Sequence, residues 1–256
     1  MRRLSVTLAG LVLTAGFALW ADDANDGKNA CKDLPSYSDL KTQLKAARSA
    51  SNGGFNLDMW GSIVNRDGVV CAVAFTGVNR GNQWPGSRVI SAQKANTANA
   101  FSLPGLALST ANLYSAVQPG GTLFGLQESN PVDTSVAYGG SATNLGQAND
   151  PMVGGKIGGV NVFGGGLALY NSSGTLVGAI GVSGDTSCAD HNIAWRTRLS
   201  LNMDYVPGGV GPGKDNINYI GLVPVPSLAN DFSHPICKIA GVDNVSAISA
   251  ALPPTR

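Results

Sequence analysis

Apolar positions along the chain fall into three patterns. LSVTLAGLVLTAGFALW (4–20) is an unbroken apolar run without a charge, set behind Arg2 and Arg3. SYSDLKTQLKAARSA (36–50) carries Leu40, Leu44 and Ala47 at helical spacing, with Ser38 as the expected N-cap and the glycines of SNGGFN as the stop. MWGSIVNRDGVVCAVAFTG (59–77) reads as two β-rich runs about an Asp67-Gly68 hairpin turn. RVISAQKANTANAFS (88–102) and LALSTANLYSAV (106–117) are helix-compatible, and Pro119-Gly120-Gly121 breaks the pattern. From 121 to 166 the chain is loop-like, and a loop of that length within a compact fold points to function. GLALYNSSGTLVGAIGVSG (166–184) predicts a second hairpin, and SCADHNIAWRTRLSL (187–201) a helix with Ser187 as N-cap and Asp190 at N3. The tail from 206 is rich in Gly and Pro.

This order of elements predicts an α+β architecture, with two hairpins sharing one antiparallel sheet and helices packed on it. The alternative, a doubly wound parallel sheet, lacks its βαβ alternation. The glycine count of 34 in 256 residues is about twice the usual share and favours strands and turns over a helical bundle.

The N-terminal run has the form of a secretory signal peptide over residues 1–21, cleaved after Ala21 or Ala18. It is short for a membrane span of ~20 residues, and no second run of that length follows. The expectation is a periplasmic or secreted protein without a membrane span after processing. Its residues 22–256 would form one domain, with a core of about 36–201 and a tail of 202–256. Loss of Arg2 and Arg3 from 17 basic residues leaves them one below the 16 acidic ones, so no footprint for nucleic acid exists. Four cysteines in an exported chain imply two disulfides. We expect Cys31–Cys71 and Cys188–Cys237, each fastening a terminal segment to the core. No cysteine or histidine spacing matches a structural zinc site.

GVSGDTSCADHNIAW (181–195) concentrates the candidate chemistry. Amides 186–189 at a helix start favour an anion, unless Ser187 and Asp190 cap them. His191 is a candidate metal ligand or proton carrier, and His234 in DFSHPIC would be held near it by a Cys188–Cys237 bridge. Lys94, Asn96, Thr97 and Asn99 form a polar helix face. Trp84 and Arg88 in WPGSR mark a possible ligand edge. Ser183 lies in Gly-Val-Ser-Gly-Asp, which is not a nucleophile elbow. GGKIGGVNVFGGG lacks the flanking strand and helix of a dinucleotide site.

Gly165-Gly166, the strand end Gly178–Gly184, Asp190 and Ala194 resemble the signature of the GlcG/HbpS family of heme-binding-protein-like domains, also called domain of unknown function 336. Lys94, Ala95, Thr97 and Ala98 resemble its Lys-Ala-x-Thr-Ala helix, and RDGVVCAVA (66–74) its first hairpin. The likeness spans about 36–200. It implies a profilin- or PAS-like fold with about five antiparallel strands, heme as cofactor or another small ligand, and a homo-oligomer. The ligand-binding residues it suggests here are Lys94, Thr97, Ser183, Thr186, Asp190, His191 and His234. Segment 36–50 contains no histidine, although some related domains carry a heme-binding one there. The reading favours binding or sensing over catalysis. Its alternatives are an accessory subunit of a periplasmic redox system, or an enzyme acting on a small hydroxy acid.

Overall fold

The computed structural model describes residues 30–220, 232–238 and 244–256. The expected signal peptide lies outside the described residues. Helix α1 (Tyr37–Ser49) leads into the hairpin β1 (Trp60–Asn65) and β2 (Val70–Phe75), followed by α2 (Ser87–Phe101). A short α3 (Thr134–Tyr138) interrupts the long loop. The second hairpin is β3 (Gly166–Tyr170) and β4 (Leu176–Ser183), and α4 (Ser187–Ser200) follows. In the tail, β5 (Tyr219–Ile220) pairs in parallel with β6 (His234–Pro235), and α5 (Val245–Ala250) comes last.

The main sheet has four strands in the order β2-β1-β4-β3, all antiparallel. Four rather than about five strands suffice because the outer edge of β3 is covered by irregular chain. Thr110 N donates to Gly166 O and Tyr170 N donates to Met203 O, so strapping segments occupy the fifth place.

Strand alternation divides the core into two layers. Ile63, Ala72, Ala74, Ile180 and Val182 face α1 and α4, meeting Leu40, Leu44, Ile193 and Trp195. Trp60, Val64, Val73 and Ala179 face α2, meeting Val89, Ala92, Ala95 and Ala98. Because both faces are covered, the strands read as apolar runs. The seat of α2 depends on Gly181: a Cβ there would run into Ser91 O and stand 2.5 Å from Ala95 N. Gly181→Ala should therefore cost about 1–3 kcal/mol through overpacking, read as a lowered urea midpoint with an unchanged m-value.

The two disulfides join Cys31 to Cys71 and Cys188 to Cys237, the pairs chosen from the sequence. Three local expectations are corrected. Helix α1 is capped by Ser36 instead of Ser38, in a full capping box with Asp39. Helix α4 is capped by Thr186 instead of Ser187, and its hydroxyl accepts from Ala189 N. Segment 106–117 is no α-helix; only Ser115–Val117 forms a 3₁₀ turn. Its amides are drawn elsewhere, with Ala107 N donating to Gly208 O and Thr110 N to Gly166 O. Asn112 bridges to the tail, donating to Asn216 O and accepting from Asn218 N. These bonds outweigh a weak helical preference.

Candidate functional site

Helix α2 crosses the end of β4 beside the start of α4, and Lys94 is carried into the joint. Its Nζ lies 2.7 Å from Asp190 Oδ2 and donates to Val182 O at 3.1 Å. Asp190 Oδ1 accepts Asp185 N at 2.9 Å. Both members of this pair are buried. Desolvation pushes the Asp190 carboxyl up to about 7 against the opposing pull of Lys94, and the Lys94 ammonium is pushed down by its burial. The pair can hold or pass one proton at the base of a cleft.

That cleft, of about 280 Å³, is lined by Trp84, Ser87, Ile90, Lys94, Phe163, Ser183, Asp185, Ser187 and Asp190. Trp84 and Phe163 are 51% and 48% exposed. Asp185 is engaged in fold support, accepting Phe55 N at 2.8 Å and Leu57 N at 2.9 Å. Ser183 donates to Ser87 Oγ at 3.2 Å.

Of the residues predicted from sequence, the structure gathers Lys94, Ser183 and Asp190 at this cleft. Thr186 stands beside it as the helix cap. Thr97 is buried away from the lining, donating to Gln93 O and accepting Asn161 N at 2.9 Å. Asn96 and Asn99 also turn elsewhere, to Gly159 O and to Arg66. Arg88 is buried and paired with Asp150, with Nε 2.8 Å from Oδ2, and anchors the long loop. The anion reading of amides 186–189 meets occupied donors: Thr186 N bonds Asp185 Oδ1, Cys188 N contacts Cys237 Sγ and Ala189 N bonds Thr186 Oγ1.

His191 is fully buried against Trp195, with ring centroids 5.9 Å apart. Neither ring nitrogen makes a well-formed hydrogen bond. Burial, then the charges of Arg198 and His234, push its pKa down to about 3, with Asn216 opposing. The unfolded state therefore takes up this proton first. The stability involved is complete above pH 6.5 and is lost as the pH falls toward 3, by at most about 1.4 kcal/mol per pH unit. His191→Leu should raise stability at pH 7 by about 1–2 kcal/mol by removing two unsatisfied nitrogens, and the gain should widen on acidification. Urea titrations of both proteins at pH 7 and pH 5 measure it. Taking the difference isolates His191, because Asp190, whose raised pKa acts with the opposite sign, is present in both proteins and cancels.

His234 is near enough to His191 to act on its charge, but its own partners are elsewhere, with Nε2 2.7 Å from Ser187 Oγ and Nδ1 2.6 Å from Pro235 O. Burial pushes its pKa down to about 4. Sequence reasoning placed Ser187 only as a cap and passed over Phe163, Ser87 and Ile90. The available signal was Ser187-Cys188 set against His234-x-x-Cys237, where one disulfide draws hydroxyl and imidazole together. Among the described residues, Cys188, His234 and Cys237 are the one histidine–cysteine–carboxylate cluster compact enough for a metal ion. Its sulfurs are joined in a disulfide and are not thiolates.

An iron-ligated haem does not fit the cleft's donor set. No histidine, cysteine, methionine or tyrosine lines it, and the imidazoles nearby are buried.

No curated protein matches the chain. Solved structures similar to it include the following three. PduOC, solved in complex with heme, is 23% identical with a TM-score of 0.45, covering 66% of this chain and 96% of that one. Klebsiella pneumoniae protein ORFY, of domain of unknown function 336, is 25% identical with a TM-score of 0.42, covering 63% and 87%. A double mutant of Streptomyces reticuli HbpS is 16% identical with a TM-score of 0.41, covering 76% and 99%. The family model described as "Haem degrading protein HbpS-like" matches residues 36–197. With that match over more than half its length, the chain belongs to the HbpS-like family.

Proposed function

We propose that the protein binds a small organic ligand in the cleft between Trp84 and Phe163. The observation that carries this is two exposed aromatics over a buried Lys94–Asp190 pair. Such a site suits a compact apolar body with one polar group. Membership of the HbpS-like family supports a ligand-binding role. An extracytoplasmic location is supported by the two disulfides. Among the described residues no helix is long and apolar enough to cross a membrane.

Hemin is the first probe, because PduOC was solved with heme. Binding through the porphyrin face, without an iron ligand from the cleft, should saturate at one hemin per chain in a titration followed in the Soret region. Trp84→Ala combined with Phe163→Ala should weaken it at least tenfold, while His191→Leu leaves it unchanged. Binding that ignores the aromatic pair would move the site away from this cleft. Absence of any Soret change would remove haem from the reading. Indole-3-acetate would then be titrated as a compact aromatic carboxylate, and failure there too would overturn the cleft proposal.

A further inference from the structure

Ser187 is the first residue of α4, yet it takes no part in capping that helix, because Thr186 does so. The residue is half-buried and lines the cleft, and its hydroxyl is held from two sides. Gly164 N donates to Ser187 Oγ at 2.6 Å, and His234 Nε2 stands 2.7 Å away. The direction of the second bond follows from the other side of the ring. Pro235 O can only accept, so His234 Nδ1, 2.6 Å from it, carries the ring proton. Nε2 is then the lone-pair nitrogen, and Ser187 donates its hydroxyl proton to it. The result is a hydroxyl, an imidazole and an orienting acceptor in series, the arrangement that activates a serine oxygen. Tyr114 packs on the imidazole with ring centroids 5.0 Å apart. The Cys188–Cys237 bridge fixes the two segments, one residue from Ser187 and three from His234.

We propose that Ser187 is a nucleophile toward small carboxylic esters, with His234 as its general base. Ser187 Oγ bonds to the acyl carbon as its proton passes to His234 Nε2. The bond from that carbon to the alkoxy oxygen breaks, and the departing alcohol takes the proton from Nε2. Water then attacks the acyl-serine, giving its proton to Nε2, and the carboxylic acid leaves as Ser187 regains that proton. The sum is ester plus water to acid plus alcohol, and no further reactant is needed. Trp84, Ile90 and Phe163 fit an apolar ester group on the wall of the same cleft. The inference shares the cleft with the ligand reading but does not depend on it.

The test is labelling of the full chain, disulfides intact, with a fluorophosphonate probe, followed by peptide mass spectrometry, alongside hydrolysis of p-nitrophenyl acetate. The expected result is one phosphonyl group per chain, on Ser187, and ester turnover that Ser187→Ala abolishes. His234→Gln should slow labelling about 10²–10⁴-fold, the range for a lost general base. An unlabelled Ser187 in the wild-type protein would overturn the proposal without recourse to any variant. Equal labelling rates in wild type and a His234→Gln protein of native near-UV circular dichroism would overturn the role of His234. Hemin titration of the wild-type protein separates the two readings: hemin binding with Ser187 unlabelled removes only the nucleophile, and labelling of Ser187 without hemin binding removes only haem as the ligand.

Discussion

Arg198→Ala should destabilise the protein by about 3–5 kcal/mol, the cost of stranding a buried charge. The Arg198 guanidinium is fully buried in α4 and grips Asp215 with two bonds of 2.6 Å and 2.9 Å. A third bond of 3.1 Å goes to Ala168 O on β3, and the guanidinium stacks 4.8 Å from the Trp195 ring centre. One side chain thus ties sheet, helix and tail. Removing it leaves Asp215, also fully buried, without its counter-charge. Replacing both partners by Arg198→Met and Asp215→Leu should recover most of the loss, because no lone ion remains inside. Urea unfolding of wild type, single and double variants measures this. A single variant within about 1 kcal/mol of wild type would show that solvent reaches the pair.

Lys94→Met should cost a similar amount, about 3–5 kcal/mol, by a different route. Asp190 is already held up to about 7 with Lys94 beside it. Without the ammonium its carboxyl rises further and takes up a proton in the folded state. The variant should therefore gain stability on acidification relative to its value at pH 8. A raised folded pKa leaves stability present at low pH, and that stability is lost as the pH climbs through it. Asp190→Asn in the same background removes the titrating group, so the pH dependence should flatten. Stability curves of the two variants between pH 5 and pH 8 provide the check. A flat curve for Lys94→Met would mean that Asp190 is not the group responding.

Much of the scaffold was legible in the chain. The Asp67-Gly68 turn, the second hairpin and the helix after it follow from local patterns, which need only neighbours in sequence. The same holds for Leu40, Leu44 and Ala47, which face the core as their helical spacing predicts. The cysteine partners followed from the need to anchor two terminal segments. Lys94 and Asp190 stood out through the likeness to the family, although nothing in their spacing shows that they touch.

What the tertiary structure alone decided rests on partners far apart in sequence. LALSTANLYSAV has helix-compatible residues, but its amides bond to β3 and the tail, and long-range bonds override a weak local preference. The cap of α4 moves by one residue because Ser187 Oγ is taken by His234, 47 positions away. His191 reads from the sequence as a candidate ligand or proton carrier, yet the packing of Trp195 seals it in. Local sequence specifies which elements form and which of their faces are apolar, because those depend on near neighbours. Which polar groups are buried, paired or left facing a cleft depends on how the elements meet, and desolvation then sets their chemistry.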